Sequence, residues 1–107
     1  MRGWKYLVYE GGTRVPFIVR WPSKVPVGVS AQMVSLTDVM ATCAALTGQP
    51  LPHNAALDSL HQRPVFLGQV RKPVRDLVVQ QGISGSMALR QGDWKYIPSN
   101  AGAAAAG

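Results

Sequence analysis

Few side chains in this 107-residue chain stand in an arrangement that could do chemistry, and the densest group lies near its start. In Lys5-Tyr6-Leu7-Val8-Tyr9-Glu10-Gly11-Gly12-Thr13-Arg14-Val15-Pro16, a lysine precedes two adjacent glycines flanked by an acid and a base. Glycines in such a place permit positive φ or a close backbone approach that a side chain would block. Glu10 and Arg14 are expected to pair or to cap that turn, shaping it rather than reacting. Lys5, taken alone, is a solvated lysine. Elsewhere the candidates are dispersed. The single cysteine, Cys43, falls on an apolar helical stripe and reads as a buried core thiol. Asp38, Asp58, Asp76 and Asp93 are spaced as caps and turns, not as a cation cage. His53 and His61 have no second ligand at metal spacing, so no metal site is expected.

The elements that would position these residues can be read from pattern. Tyr6–Tyr9 favours β structure until the glycines interrupt it. Phe17–Trp21, closed by Pro22, reads as a short buried strand, and residues 23–30 as a loop. The clearest element is a helix in VSLTDVMATCAALTGQP, where Leu36, Val39, Met40, Cys43 and Leu46 form one apolar stripe. Ser35 can cap it, with Asp38 in capping-box position, while Gly48 and Pro50 end it. Residues 57–68 can hold a short helix that tolerates Pro64 only in its first turn or at a kink. Asp76–Gln81, Met87–Arg90 and Trp94–Ile97 then read as a small antiparallel meander. Trp21, Trp94 and Tyr96 are expected to pack in a core or at a sheet edge. The Ala/Gly tail, 99–107, is low in complexity and expected to be disordered.

Composition bounds the rest. The chain is long enough for one domain, with 47% apolar and 15% charged residues, as in foldable globular chains. The net charge of +6 suits an anionic partner. Its basic residues are scattered singly, however, so nucleic-acid binding is not expected. No run approaches the roughly 20 apolar residues of a membrane span, and Met1-Arg2-Gly3-Trp4 does not open like a secretory signal.

Taken in order, these segments resemble one family. RGWKYLVYEGGTRVPFIVRWP is similar to a signature region of the arylsulfatase-type sulfatases, a lysine ahead of a Tyr/Trp-Glu-Gly-Gly-x-Arg-Val-Pro block. SLTDVMATCAALTGQPLP resembles the family's following helix, ALDSLHQRPVFLGQ its next segment, and MALRQGDWKYI its carboxy-terminal strand pair. The resemblance covers residues 1 to about 98 and identifies the chain with the carboxy-terminal portion of a sulfatase.

That resemblance implies an α/β fold of the alkaline-phosphatase-like superfamily. Residues 1–70 would end the family's amino-terminal α/β domain, as an edge of a parallel sheet with one helix. Residues 71–98 would form a small antiparallel carboxy-terminal subdomain. It implies sulfate ester hydrolysis, with formylglycine as nucleophile and calcium as cofactor in full-length members. Lys5 matches the lysine that contacts the substrate sulfate, a task suited to a point charge with three donors. Gly11, Gly12, Glu10 and Arg14 would shape the turn beside it. Many relatives carry a histidine where this chain has Gln80 and Gln81. Amides cannot titrate there, but they can hydrogen-bond a substrate. The formylglycine motif and the calcium carboxylates do not carry over, so the chain alone is expected to be inactive. Its expected partners are the sulfate ester, an amino-terminal sulfatase fragment or a second copy. Relatives are often periplasmic, secreted or lysosomal. A non-catalytic binding module, or a gene remnant without function, remains the alternative.

Overall fold

The computed structural model describes residues 1–83 and 85–99. The elements run α1 (Glu10–Thr13), α2 (Asp38–Thr47), α3 (Arg63–Phe66), β1 (Leu77–Gln81), β2 (Met87–Gln91) and β3 (Trp94–Tyr96). They fall into two compact units. One combines Met1–Phe17 with the chain from Leu77 onward, and the other is Ile18–Asp76. The Ala/Gly tail from residue 100 lies outside the described residues.

In the first unit the meander forms as its turn residues predict: β1, β2 and β3 make a three-stranded antiparallel sheet in that order. Gly92, at φ +52°, supplies the left-handed residue that the β2–β3 turn requires. Gln80 stands opposite Ala88, and Arg90 opposite Lys95. The side chains of Val78, Gln80, Ala88, Arg90 and Lys95 therefore share one face, because side chains alternate along a strand. Val8 and Ala88 form the buried cluster on that face, with Ile97 packed against it. The opposite face carries Val79, Met87, Trp94 and Tyr96, all exposed. Trp94 and Tyr96 thus lie on the edge strand, one of the two places expected of them, but on its open face and not in a core.

The second unit is built on α2. Its carboxy-terminal boundary follows the sequence signal, with Gly48 at φ +69° as the left-handed C-cap. The capping box forms by half. The Asp38 carboxylate accepts the Ser35 N–H at 3.0 Å, while Thr37, not Ser35, is the N-cap residue. Ser59, 18 residues further on, accepts the Ala41 N–H at 3.0 Å and so ties the first turn of α2 to the chain that follows it. Pro64 sits in the first turn of α3, where its missing N–H costs no hydrogen bond.

Two expectations fail, one on α2 and one in residues 17–21, for one physical reason. The helix buries Asp38 and Thr42, whereas Leu36, Val39, Met40 and Cys43 of the apolar stripe are exposed, Met40 by 54%. Cys43 is therefore not a core thiol. Phe17–Trp21 forms no strand, and Ile18 is 89% exposed. Nothing of a parallel sheet forms among the described residues. A sheet strand needs a neighbouring strand and a stripe needs an apolar surface; among the described residues the one sheet is β1-β2-β3, and the α2 stripe stays exposed. Among them only Val8, Val65 and Ala88 are buried apolar side chains. Trp21, also expected to pack, is exposed too.

Candidate functional site

The glycine turn that carries the sequence signature is a single helical turn, α1, not an irregular loop. Its glycines are required by close approach. A Cβ on Gly11 would collide with the Gly3 carbonyl oxygen and lie 2.9 Å from that of Arg2. One on Gly12 would collide with the Leu7 oxygen and lie 2.5 Å from the Trp4 oxygen. The Gly11 N–H donates to the Arg2 carbonyl at 2.8 Å. The segment holding Lys5 is thereby laid directly along α1, with backbone on backbone.

Lys5 itself is exposed, and its ammonium stands 4.8 Å from the centroid of the Tyr6 ring. The Tyr6 carbonyl accepts the Ile83 N–H at 3.0 Å, which brings the Lys5–Tyr6 turn to the end of β1. There the two glutamines part. Gln80 turns toward the Val8–Ala88 face, with its Oε1 buried and unpaired, and Gln81 is exposed on the other side. Of the two glutamines, Gln81 is exposed and Gln80 half-buried.

Glu10 is the electrostatic anchor of the turn. The expected pair with Arg14 is present at 3.6 Å, and two further cations join it: Lys95 Nζ at 3.0 Å and Arg90 at 3.6 Å. Lys95 also donates to the Thr13 hydroxyl at 3.1 Å. Partial burial pushes the Glu10 carboxyl up, but the Lys95 hydrogen bond and the charges of Lys95, Arg90 and Arg14 outweigh it, and its pKa is lowered. Arg90 and Lys95 escaped the sequence reading, although a signal existed. Two cations directly opposite each other in a hairpin repel unless an acid lies over them.

In the other unit Asp38 is more than a cap. Only 1% exposed, it accepts from Arg75 Nε at 3.0 Å and Nη2 at 2.6 Å, from Gln62 Nε2 at 2.9 Å and from the Leu60 N–H at 3.0 Å. Burial raises its pKa, yet these donors, Arg75 foremost, hold it at about 2. Among the described residues no three His, Cys, Asp or Glu side chains gather as a metal site. Asp38 and Glu10 are already committed to cations. Cys43 is followed by Ala44-Ala45-Leu46. The described residues of this chain therefore do not fit calcium or a formylglycine nucleophile. His53 and His61 are both exposed.

These features coincide with strong similarity to known proteins. The N-acetylgalactosamine-6-O-sulfatase of Bacteroides thetaiotaomicron is 47% identical over 101 residues, 94% of this chain and 20% of that protein. The chain belongs to the sulfatase family. Human arylsulfatase A is 35% identical over 89% of the chain, and mouse steryl-sulfatase 40% identical over 66%. A solved Bacteroides thetaiotaomicron sulfatase structure, described under the metabolism of multiple glycosaminoglycans, matches with a TM-score of 0.80 and 45% identity. It covers 87% of this chain and 19% of the solved one. No family model matches. The chain corresponds to the carboxy-terminal portion of a sulfatase and spans about a fifth of the length of the first two relatives, 20% and 19%. Family membership implies calcium and formylglycine in full-length members. No helix among the described residues is long and apolar enough to cross a membrane.

Proposed function

We propose that this chain supplies the sulfate-contacting lysine and the carboxy-terminal subdomain of a sulfate ester hydrolase, and that it does not turn over substrate alone. The observation that carries the reading is the Lys5 turn, pressed onto α1 by Gly11 and Gly12 in a chain 47% identical to a sulfatase. Lys5 is exposed while the backbone beneath it is fixed, so an ammonium with three donors is presented to an incoming anion. In sulfate ester cleavage negative charge grows on the departing oxygen and is spread over the sulfate oxygens. A fixed cation there stabilises the transition state more than the ground state. Glu10 shapes the turn through Lys95 and Arg90 and does not touch substrate. Gln81 is the amide available to bind the alcohol portion. A 6-O-sulfated amino sugar is the first substrate to try, given the name of the 47% relative.

The nucleophile and the calcium ligands belong to the remaining portion of the sulfatase. The exposed stripe Leu36, Val39, Met40 and Cys43 is the surface on which that portion packs. Without it, the same stripe favours self-association. The test is hydrolysis of an aryl sulfate and of a 6-O-sulfated amino sugar. Pure chain is expected to show none. Chain assembled with the amino-terminal sulfatase portion is expected to hydrolyse one of them, and Lys5→Ala to lose that activity at least 100-fold, as for removal of a transition-state donor. Lys5-dependent turnover by the pure chain, or an assembled Lys5→Ala enzyme of full activity, would overturn the proposal.

A further inference from the structure

Tyr6 adopts φ +81°, the left-handed region that a bulky side chain rarely enters. The Leu7 N–H donates to the Trp4 carbonyl at 3.2 Å, closing a four-residue turn in which Lys5 and Tyr6 are the central pair. That φ is the one required at the second central position of a type II turn, where glycine normally stands. A strained non-glycine conformation persists only when its surroundings over-determine it. Here they do. The Tyr6 carbonyl is held by the Ile83 N–H. Gly82 lies so close that a Cβ on it would come within 2.9 Å of that same oxygen and 2.6 Å of the Ser86 hydroxyl. Leu7 leads at once into buried Val8, so the turn is tethered on both sides.

Glycine would relieve the strain, but it would remove the ring. Tyr6 is 55% exposed, so its ring adds little to the core, and the Lys5 ammonium stands 4.8 Å from the ring centroid. An ammonium over a ring face is drawn to the ring's negative quadrupole. Without that contact, a lysine on an exposed turn would explore all its rotamers.

We propose that Tyr6 is a positioning residue. Its ring, fixed by a turn that the β1–β2 connection pins, holds the Lys5 ammonium where sulfate is to be met. The inference rests on the proposed role of Lys5, yet it is tested without sulfate. In NMR spectra of the full chain, the Lys5 ε-methylene protons are expected upfield of those of Lys24, Lys72 and Lys95, displaced by the ring current. Tyr6→Phe keeps the ring and should keep the displacement. Tyr6→Asn tolerates left-handed φ, has no ring, and should abolish it. A structural role for the turn alone would leave Lys5 unmoved in all three proteins. Lys5 protons at ordinary positions in the wild type, or equally displaced in Tyr6→Asn, would overturn the proposal. Should Tyr6→Asn fail to fold, the wild type and Tyr6→Phe decide between them: displacement in both supports the proposal, and loss in Tyr6→Phe overturns it. Failure here leaves Lys5 as a sulfate contact. Full activity of an assembled Lys5→Ala enzyme would remove that role, while the NMR displacement of Lys5 in the wild type would be unaffected by that result.

Discussion

Replacing Asp38 by Asn tests the energetics of the second unit most directly. The substitution keeps shape but removes the charge that Arg75, itself only 12% exposed, is buried against. Breaking a buried pair by removing one partner costs about 3–5 kcal/mol, because the other charge is left uncompensated. The pH dependence is a second and more discriminating signal. In the folded chain the Asp38 pKa lies at about 2, against an ordinary value of 3.8. A depressed carboxyl pKa stabilises the fold above the unfolded value, and that contribution disappears as pH falls through the folded value. At about 1.4 kcal/mol for each tenfold difference in proton affinity, roughly 2 kcal/mol should be lost between pH 4 and pH 2. Arg75, with its pKa raised, stays protonated throughout this window and adds no slope of its own. Glu10 also has a lowered pKa, so the wild-type curve alone is ambiguous. The difference between wild type and Asp38→Asn is not. Urea unfolding should show Asp38→Asn less stable by about 3–5 kcal/mol at pH 7, with the gap shrinking by about 2 kcal/mol at pH 2. A gap that stays constant from pH 7 to pH 2 would refute the assignment of that charge to the Arg75 pair.

Three further perturbations follow from the first unit. Gly12→Ala should gain about 1 kcal/mol of helix propensity, but the Cβ has no room beside the Trp4 and Leu7 carbonyls. The clash should prevail, lowering the melting temperature and scattering the amide resonances of Val8 and Ala88. Glu10→Gln should cost about 1 kcal/mol, since the carboxylate is partly exposed. Melting in rising salt should narrow its gap to wild type, because the lost term is screened. Gln80→Leu should be neutral or stabilising by up to about 1 kcal/mol, as it replaces a buried, unpaired acceptor. A clear drop in melting temperature would show that Gln80 Oε1 has a partner in solution.

Legibility followed the range of the interaction. Signals settled within one element held: the Gly48 C-cap, Pro64 in the first turn of α3, and the Gly92 hairpin each depend on a few neighbouring residues. The Glu10–Arg14 pair, four residues apart, belongs to the same class. Partners brought by the fold from far along the chain were not legible. Lys95 lies 85 residues from Glu10, and Arg75 lies 37 from Asp38, and no local periodicity records either. The signature glycines were legible as to what they do, but their counterparts, the carbonyls of Gly3, Trp4 and Leu7, have no side-chain identity to betray them.

The misread helix face is the most instructive case. Hydrophobic period correctly locates a stripe on α2, but it cannot say whether the surface opposite lies within the same 107 residues. In this chain the buried side of α2 is chosen by hydrogen bonds. Thr42 donates to the Asp38 carbonyl and accepts the Gln62 N–H at 2.8 Å, while Asp38 gathers Arg75, Leu60 and Gln62. A polar network so nearly satisfied could not face water without losing its geometry, whereas the apolar stripe can await another surface. The two faces of α2 therefore differ in kind: the polar one organises this unit, and the apolar one, exposed among the described residues, is the face that the proposed function assigns to the rest of a sulfatase.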